Sequence, residues 1–561
     1  MPIDVNVTIG GEAGQGIQTV GHLVAKTCHK AGLRLFAIND YESRIRGGHS
    51  FFQCRIRDVD VRSPRTGVDL LVAMDDNTRS IHESRVADDG VIIVDGDGEP
   101  EGKVFPVAVN DLAKEAGGKI YSNTVAAGAC LAMMGADLDL VQEVVAAEMG
   151  KKGQEVVDKN REAARLGFEA VQNAKFPKAF QWEKTSRDGV LIDGAQALAL
   201  GALAGDCRFA AFYPMSPATG IMVHLSATTM QAPVHVEQVE DEIAAINMVT
   251  GASFAGVRAV TATSGGGFSL MTEGLGLAAI TETPVVIINA QRPGPATGLP
   301  TRTGQGDLLF VINATQDEFP RFVFAPDSPE AGFATMIRAL DLADKYQVPA
   351  IVLADHFYVD SLCSTDQALE PPDSVKRYIT SSDDSDYERY AVTDSGVSPR
   401  ALPGRGAALV GSTGNEHTPD GHITENRDVK VKMTDKRNAK IPAMVQEMNP
   451  PEAYHGDAEN LLVCWGSTWG PVREGVDAMR DQGMDVGAVH FIDLWPFPAD
   501  AVEEVLGGRN LYFVEQNSTG QLARLVRQET GLKAAGVVLK YDGRPFAVED
   551  VIERAKKAME G

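Results

Sequence analysis

Basic side chains are scarce in this chain: Lys and Arg number 52 against 77 Asp and Glu, a formal net charge of -25. Such a surface repels phosphodiesters and anionic headgroups, so neither nucleic acid nor a membrane is expected as a partner. Cysteine is sparse as well. Cys28, Cys54, Cys130, Cys207, Cys363 and Cys464 form no Cys-x-x-Cys pair and have no histidine cluster beside them, so this chain by itself is expected to hold no iron-sulfur cluster and no structural zinc. No uninterrupted apolar run reaches membrane-spanning length, and the start, MPIDVNVTIGG, has neither a basic region nor a long apolar core. The expectation is a cytoplasmic protein with reduced thiols. What is present is length, since 561 residues exceed a single core and suggest three or four domains of roughly 150 residues.

Strand and helix signals alternate over most of the chain. A strand at 5–9 turns through Gly10-Gly11-Glu12-Ala13-Gly14-Gln15-Gly16 into an apolar-periodic helix at 17–31, which is an α/β opening. Strand patterns recur at 34–38, 51–56, 69–73 and 91–94, a charged helical stretch fills 138–173, and 175–187 reads as a linker. From 194 the alternation resumes, with strands expected at 209–212, 257–263, 285–289 and 351–353 and helices at 218–229, 268–280 and 329–346. That order implies a doubly wound, mainly parallel sheet. The stretch from 371 to about 455 is polar and poor in periodic apolar positions, as expected of a long connector, and α/β alternation returns from 461 to 514. The fold class is therefore α/β in three α/β domains, at 1–178, 186–370 and 456–561, with an extended connector at 371–455.

The stretch 213–302 carries the strongest chemical signal. If 238–252 is helical, Val239, Ala245, Ile246 and Val249 fall within about 60° of Glu242, while Glu237, Glu240 and Asp241 lie opposite. A carboxylate centred on an apolar face must be neutral, paired or hydrogen-bonded. One reading is an interdomain salt bridge or a different helix phase. The other is a thiamine diphosphate site, which needs a carboxyl shielded from water to hydrogen-bond the aminopyrimidine ring nitrogen.

Around Glu242 stand further candidates. Ser216 lies between Pro214 and Pro217, so Tyr213 and Ser216 are biased to extended backbone, and the Ser216 hydroxyl is held at a strand end, where open α/β sheets bind ligands. A rigid turn without a ligand is the alternative. Ser264-Gly265-Gly266-Gly267 follows a strand and precedes a helix, so its amides suit an anion or a close-lying ring, although it lacks the Lys-Ser/Thr of a P-loop. Arg292 and Arg302 bracket a Pro/Gly-stiffened loop, and guanidinium forks suit carboxylates.

Other motifs are weaker. Gly11-x-x-Gly14-x-Gly16 has the wrong glycine order for a dinucleotide fingerprint. Gly96-Asp97-Gly98 with Asn123 imitates a thiamine diphosphate metal signature, but a strand-like run follows where a helix start is needed. Arg44, Arg46 and His49 form a basic island that would meet an acidic surface or a phosphate-bearing ligand, unless it is a plain solvated loop. His417 and His422 with Glu416 and Glu425 are metal-ligand types set in a polar connector, and no metal is assigned to this chain.

Taken together, these motifs resemble the 2-oxoacid:ferredoxin oxidoreductases, in the form of an alpha subunit with a gamma domain fused at its N-terminus. Gly11 to Gly16 with Ser43 to His49 looks like the gamma domain. Tyr213-Pro214-Met215-Ser216-Pro217 looks like the family's Tyr-Pro-Ile-Thr-Pro loop, with Ser216 keeping the hydroxyl of the usual Thr. Glu242, nine residues before Gly251, matches the cofactor-activating glutamate, and Arg292 and Arg302 match positions that grip oxoacid carboxylates. The sequence GLPTRTGQGD at 298–307, with Gly396-Val397-Ser398-Pro399-Arg400, looks like the 2-oxoglutarate type, and the last domain is similar to a transketolase C-terminal domain.

The resemblance implies conversion of a 2-oxoacid and coenzyme A to acyl-CoA and carbon dioxide with electrons passed singly to ferredoxin, or the reverse. For 2-oxoglutarate the product is succinyl-CoA. It implies thiamine diphosphate shared with a separate beta subunit, which would carry magnesium and a [4Fe-4S] cluster, in an (alpha-beta)2 assembly. Glu242 is then the catalytic residue, Ser216, Arg292 and Arg302 bind substrate, Tyr213, Pro214, Ser264 and Gly265 line the cofactor, and Arg44, Arg46 and His49 meet coenzyme A or an interface. The alternatives are a pyruvate, branched-chain or indolepyruvate enzyme of the same family, an NAD-dependent oxidoreductase built on the N-terminal glycines, and a non-catalytic scaffold subunit.

Overall fold

The computed structural model describes residues 3–42, 48–174, 189–381 and 386–560. They divide into two compact units, Met1–Ile192 with Ser361–Ala368 and Ala547–Glu549, and Asp193–Asp360 with Leu369–Phe546 and Asp550–Gly561. Three sheets build them, of eight, seven and five strands, so the α/β expectation is met. Arg44 and Arg46 fall outside the described residues, as does the expected linker.

The first unit is organised on the eight-stranded sheet. Asp4–Glu12, Val68–Ala73, Val86–Asp95 and Val104–Val107 run parallel, whereas His49–Arg57 is antiparallel to both Asp4–Glu12 and Arg34–Asp40. Helix Gln154–Asn173 buries Val157, Ala163, Ala164, Phe168 and Val171, the 3.6-residue stripe that its sequence spells among charged neighbours.

In the second unit the seven strands lie in the order Asp493–Trp495, Phe322–Phe324, Ala350–Asp355, Val286–Gln291, Arg258–Thr263, Cys207–Phe212, His235–Gln238. All pair in parallel except the edge strand Asp493–Trp495. Central strands such as Val286–Gln291 and Ala350–Asp355 are buried along their whole length, which is why they read as unbroken apolar runs rather than alternations. The chain places Cys207–Phe212 first, moves outward to His235–Gln238, then crosses back to Arg258–Thr263 on the other side. The strand order therefore reverses between Cys207–Phe212 and Arg258–Thr263, and connections leaving their carboxyl ends diverge to open a crevice.

The five-stranded sheet joins the same core, because the chain that leaves Val486–Phe491 supplies the edge strand Asp493–Trp495 of its neighbour. Val323, Ile351, Val463, Trp465 and Phe491 belong to one buried cluster.

Two sequence expectations change. The helix expected from 238 begins at Glu242, because Gln238 completes strand His235–Gln238 and Asp241 caps the helix by accepting from the Ala244 N–H at 2.7 Å. The connector is also less irregular than expected, since it contains helices Arg427–Asn438 and Ile441–Gln446 and strand Glu452–Tyr454. The first of these helices lacks an apolar stripe because the face it buries includes Lys436 and Arg437 beside Met433.

Candidate cofactor and substrate site

The crevice at the strand-order reversal gathers four of the loops singled out in the sequence. Cys207–Phe212 leads into Tyr213 to Pro217, Arg258–Thr263 into the glycine helix Gly265–Ile280, Val286–Gln291 into the Arg292–Arg302 loop, and His235–Gln238 into helix Glu242–Phe254. Carboxyl ends of parallel strands thus present all of them to one side of the sheet.

Glu242 is the first residue of its helix and only 2 % exposed. Its position at the helix start, beside N–H groups that have no partner in the first turn, favours a carboxylate there. Ala245, Ile246 and Val249 are buried on the same helix, as the helical phase requires, whereas Val239 precedes the helix and is buried independently. Thr263 Oγ1 donates to Glu242 Oε1 at 3.4 Å, and no cation forms an ion pair with Glu242 among the described residues. Thr263 also has Met215 Sδ at 3.7 Å, which ties the Tyr213 loop to the same spot. Gly267 permits this arrangement, because a Cβ there would collide with Glu242 Oε1 and Thr263 Oγ1.

Arg292 lies at the rim, where its Nη1 donates to the Ser216 carbonyl at 2.6 Å. Partial burial lowers its pKa, opposed by the Glu242 charge. Tyr213 and Ser216 are exposed and Pro214 half-buried. Ser264 caps the glycine helix in extended backbone, and its Oγ is buried without a hydrogen-bond partner. Gly265 faces Asp307, for a Cβ there would lie 2.5 Å from Asp307 Oδ2. Arg302 is half-buried in the same loop. Glu242, Thr263 and Gly267 thus form a water-poor floor, with half-buried Gly265 and a polar rim beside it, which fits a flat heteroaromatic ring that needs a carboxyl partner.

The sequence reading missed Asp307. Burial raises its pKa, opposed by Asn289 Nδ2, which donates to Oδ2 at 3.0 Å. The signal available was an acidic residue closing the GLPTRTGQGD loop, but its approach to Gly265 is a tertiary contact.

The remaining candidates lie elsewhere. In the first unit Gly14, Gly16, Asp95, Asn110 and Asn123 help line a cavity of about 400 Å³. His49 Nε2 is 2.7 Å from His82 Nε2, in a group that includes Phe51 and Arg85. Glu416 is occupied by Arg437 and Lys430, and His417 packs on Tyr390 with its Nδ1 3.0 Å from the Asn415 carbonyl. No group of three His, Cys, Asp or Glu side chains suited to a metal occurs among the described residues, and none of their helices is long and apolar enough to cross a membrane.

Three family descriptions match the chain in sequence order: "Pyruvate ferredoxin/flavodoxin oxidoreductase" over residues 6–170, "Pyruvate flavodoxin/ferredoxin oxidoreductase, thiamine diP-bdg" over 200–436, and "Pyruvate:ferredoxin oxidoreductase core domain II" over 458–551. The 2-oxoacid:ferredoxin oxidoreductase subunit alpha of a Sulfolobus species is 33% identical, with 98% of this chain and 95% of that protein aligned. A 2-oxoglutarate oxidoreductase subunit KorA of Mycobacterium tuberculosis is 28% identical over 100% of this chain and 92% of its own length. Among solved structures, the 2-oxoglutarate:ferredoxin oxidoreductase from Magnetococcus marinus, with 2-oxoglutarate, coenzyme A and succinyl-CoA bound, superposes with a TM-score of 0.91 at 30% identity and covers 99% of both chains. The chain belongs to the family of 2-oxoacid:ferredoxin oxidoreductase alpha subunits, as its motifs led us to expect.

Proposed function

We propose that this chain is the combined alpha and gamma part of a 2-oxoglutarate:ferredoxin oxidoreductase, forming succinyl-CoA and carbon dioxide from 2-oxoglutarate and coenzyme A, or running the reverse carboxylation. The observation that carries this reading is the full-length likeness to the Magnetococcus marinus enzyme, which has 2-oxoglutarate, coenzyme A and succinyl-CoA bound. Two arginines bracketing one loop at the crevice support a substrate with two carboxylates. Pyruvate, branched-chain and indolepyruvate enzymes are the nearest alternatives.

Thiamine diphosphate, when bound, supplies the electron sink for breaking the bond to a carboxylate. This chain's contribution is to hold and orient. The Glu242 carboxyl, buried on the same helix as Ile246 and Val249, would hydrogen-bond the pyrimidine ring nitrogen and fix its proton. Ser264 and Gly265 would line the ring, and Tyr213 and Pro214 would hold its edge. The Ser216 hydroxyl and Arg292 orient the carboxylate beside the reacting carbonyl, and Arg302 holds the distal one.

A beta subunit would complete the site with magnesium and a [4Fe-4S] cluster that passes electrons to ferredoxin, in an (alpha-beta)2 assembly. Exposed faces support such a partner. Helices Thr219–Thr228, Glu242–Phe254 and Gly265–Ile280 are apolar nearly all round, yet Val223, Ile243, Met248 and Leu270 are exposed. Apolar helix faces of this kind call for a cover. The first unit, with His49 and its cavity, is where we place coenzyme A or an interface. The test is oxoacid-dependent, coenzyme A-dependent reduction of a low-potential dye by the co-purified complex across an oxoacid panel. Preference for 2-oxoglutarate is expected, and preference for pyruvate would sink the specificity.

A further inference from the structure

The segment that carries Arg302 is fastened from beneath at three points. Thr303 Oγ1 donates to Asp355 Oδ1 at 3.2 Å and accepts from the Phe357 N–H at 3.2 Å. Gln305 Nε2 donates to the Trp465 carbonyl at 2.8 Å, while its Oε1 accepts from the Gln516 N–H at 3.0 Å. The Asp307 N–H donates to Gln291 Oε1 at 3.0 Å. Thr303 and Gln305 are buried and Arg302, which directly precedes them, is half-buried, so the backbone on the C-terminal side of this arginine has little freedom.

Asp355 differs from the other two anchors because it is ionisable. It closes the central strand Ala350–Asp355 and is 2 % exposed. Besides Thr303, it accepts from Ser467 Oγ and from the Tyr358 N–H at 2.9 Å, and no ion pair reaches it among the described residues. Burial, opposed by these hydrogen bonds, raises its pKa to about 6 from 3.8. The folded state therefore keeps this proton to a higher pH than the unfolded chain does. The stability it contributes is full below about pH 4 and is lost as pH rises through about 6. At neutral pH the burial of its charge works against the fold, so the carboxylate is not explained by stability. Its geometry explains it: the Thr303 and Ser467 hydroxyls and the Tyr358 N–H all donate to Asp355, and a charged, acceptor-only group binds all three strongly, whereas a carboxamide is neutral and keeps the Ser467 hydroxyl only if that hydroxyl turns round to accept.

We propose that Asp355 is the positioning residue of the substrate loop, fixing through Thr303 the backbone from which Arg302 reaches the oxoacid. This rests on the reading that Arg302 grips a substrate carboxylate. When Asp355 takes up a proton, one of the hydroxyls it holds must turn round to accept, and the bond from Thr303 is no longer strengthened by the carboxylate charge, so the hold on the loop weakens. The ionisable groups on the elements that hold it are Arg302 and Asp307 on the loop and His356 on the helix that follows, whose Nε2 lies 3.4 Å from Asp360 Oδ2, and no charged group is among the causes of its raised pKa.

The experiment compares the wild-type complex with Asp355→Asn and Thr303→Val, the second in case the first folds poorly. We expect Asp355→Asn to raise the KM for 2-oxoglutarate about tenfold with kcat within about threefold, since misplacing a binding group weakens capture before it slows chemistry. Its melting temperature at pH 8 should equal or exceed that of the wild type. The wild-type KM should rise between pH 8 and pH 6, and this rise should vanish in both variants. An unchanged KM in both, or KM, kcat and melting temperature worsening together, overturns the proposal. Should the wild type turn over no 2-oxoacid, the functional reading fails separately, and amide hydrogen exchange of 303–307 in the full chain decides: faster exchange in both variants upholds the fastening and unchanged exchange refutes it.

Discussion

Helix Gly265–Ile280 has a buried glutamate near each end, and the two are held in opposite ways. Glu282, just past its C-terminal end, is 1 % exposed and receives Lys440 Nζ at 2.6 Å on Oε2 and Lys436 Nζ on Oε1, while Arg389 Nη2 donates to its carbonyl at 2.8 Å. Burial pushes its carboxyl up, but the charges of Lys440, Lys436 and Arg389 outweigh this and hold it well below the usual carboxylate range. Glu242, beside the first turn at Gly267, is as deeply buried, yet among the described residues only the Thr263 hydroxyl hydrogen-bonds it, at a long 3.4 Å. A carboxylate surrounded by cations has its hydrogen-bonding capacity spent on the fold. One buried against a glycine and a single hydroxyl keeps that capacity, as the cofactor contact we propose for it requires.

The largest effect should follow from removing the acid at the first of these ends. Glu242→Gln keeps the shape and should lower oxoacid-dependent turnover of the assembled enzyme by about 10² or more, with a melting temperature equal to or above the wild type's. Near-normal turnover would make Glu242 a second structural glutamate and erase the contrast. At the other end, Glu282→Gln leaves two buried lysines without a carboxylate and should cost about 3–5 kcal/mol, read as a lower denaturant midpoint, with turnover per folded molecule preserved. Because the folded pKa of Glu282 is depressed, its contribution is present above about pH 4.5 and lost as pH falls below it. The stability difference between wild type and variant should therefore shrink in acid.

This pairing also explains what sequence could and could not reveal. Glu242 stood out because a lone charge interrupted an apolar period, and that signal survived even though the helix starts four residues later than its pattern suggested. Gln238 was absorbed by a short strand, and Asp241, placed on the polar side, turned out to be the cap. The crevice loops were legible because Pro and Gly punctuate strand ends locally. Glu282 and its lysines were not, since they lie 154 and 158 residues apart in sequence and a helix buried through ion pairs shows no apolar stripe. The fastening of Arg302 was hidden for the same reason, as Thr303, Asp355 and Ser467 come from three distant segments.

A smaller effect separates the two arginines of the crevice. Arg292 is already engaged with the Ser216 carbonyl, which suits a role at the carboxylate shared by all 2-oxoacids. Arg302→Ala should therefore reduce kcat/KM for 2-oxoglutarate roughly tenfold more than for pyruvate. Equal losses with both substrates would deny Arg302 the distal carboxylate.

The smallest effect tests whether the Glu242 end faces a partner at all. Gly251 sits on the exposed side of helix Glu242–Phe254, where a Cβ would meet nothing within 4 Å. Glycine inside a helix costs about 1 kcal/mol relative to alanine, and no contact among the described residues repays it. A partner backbone packed closely against the helix would. Gly251→Ala should thus stabilise the chain alone by about 0.5–1 kcal/mol and weaken its association with the beta subunit we propose, measured by titrating the two purified components. Unchanged association would mean that the partner, if it covers Glu242, does so without touching this face, and the glycine would then reflect no packing demand.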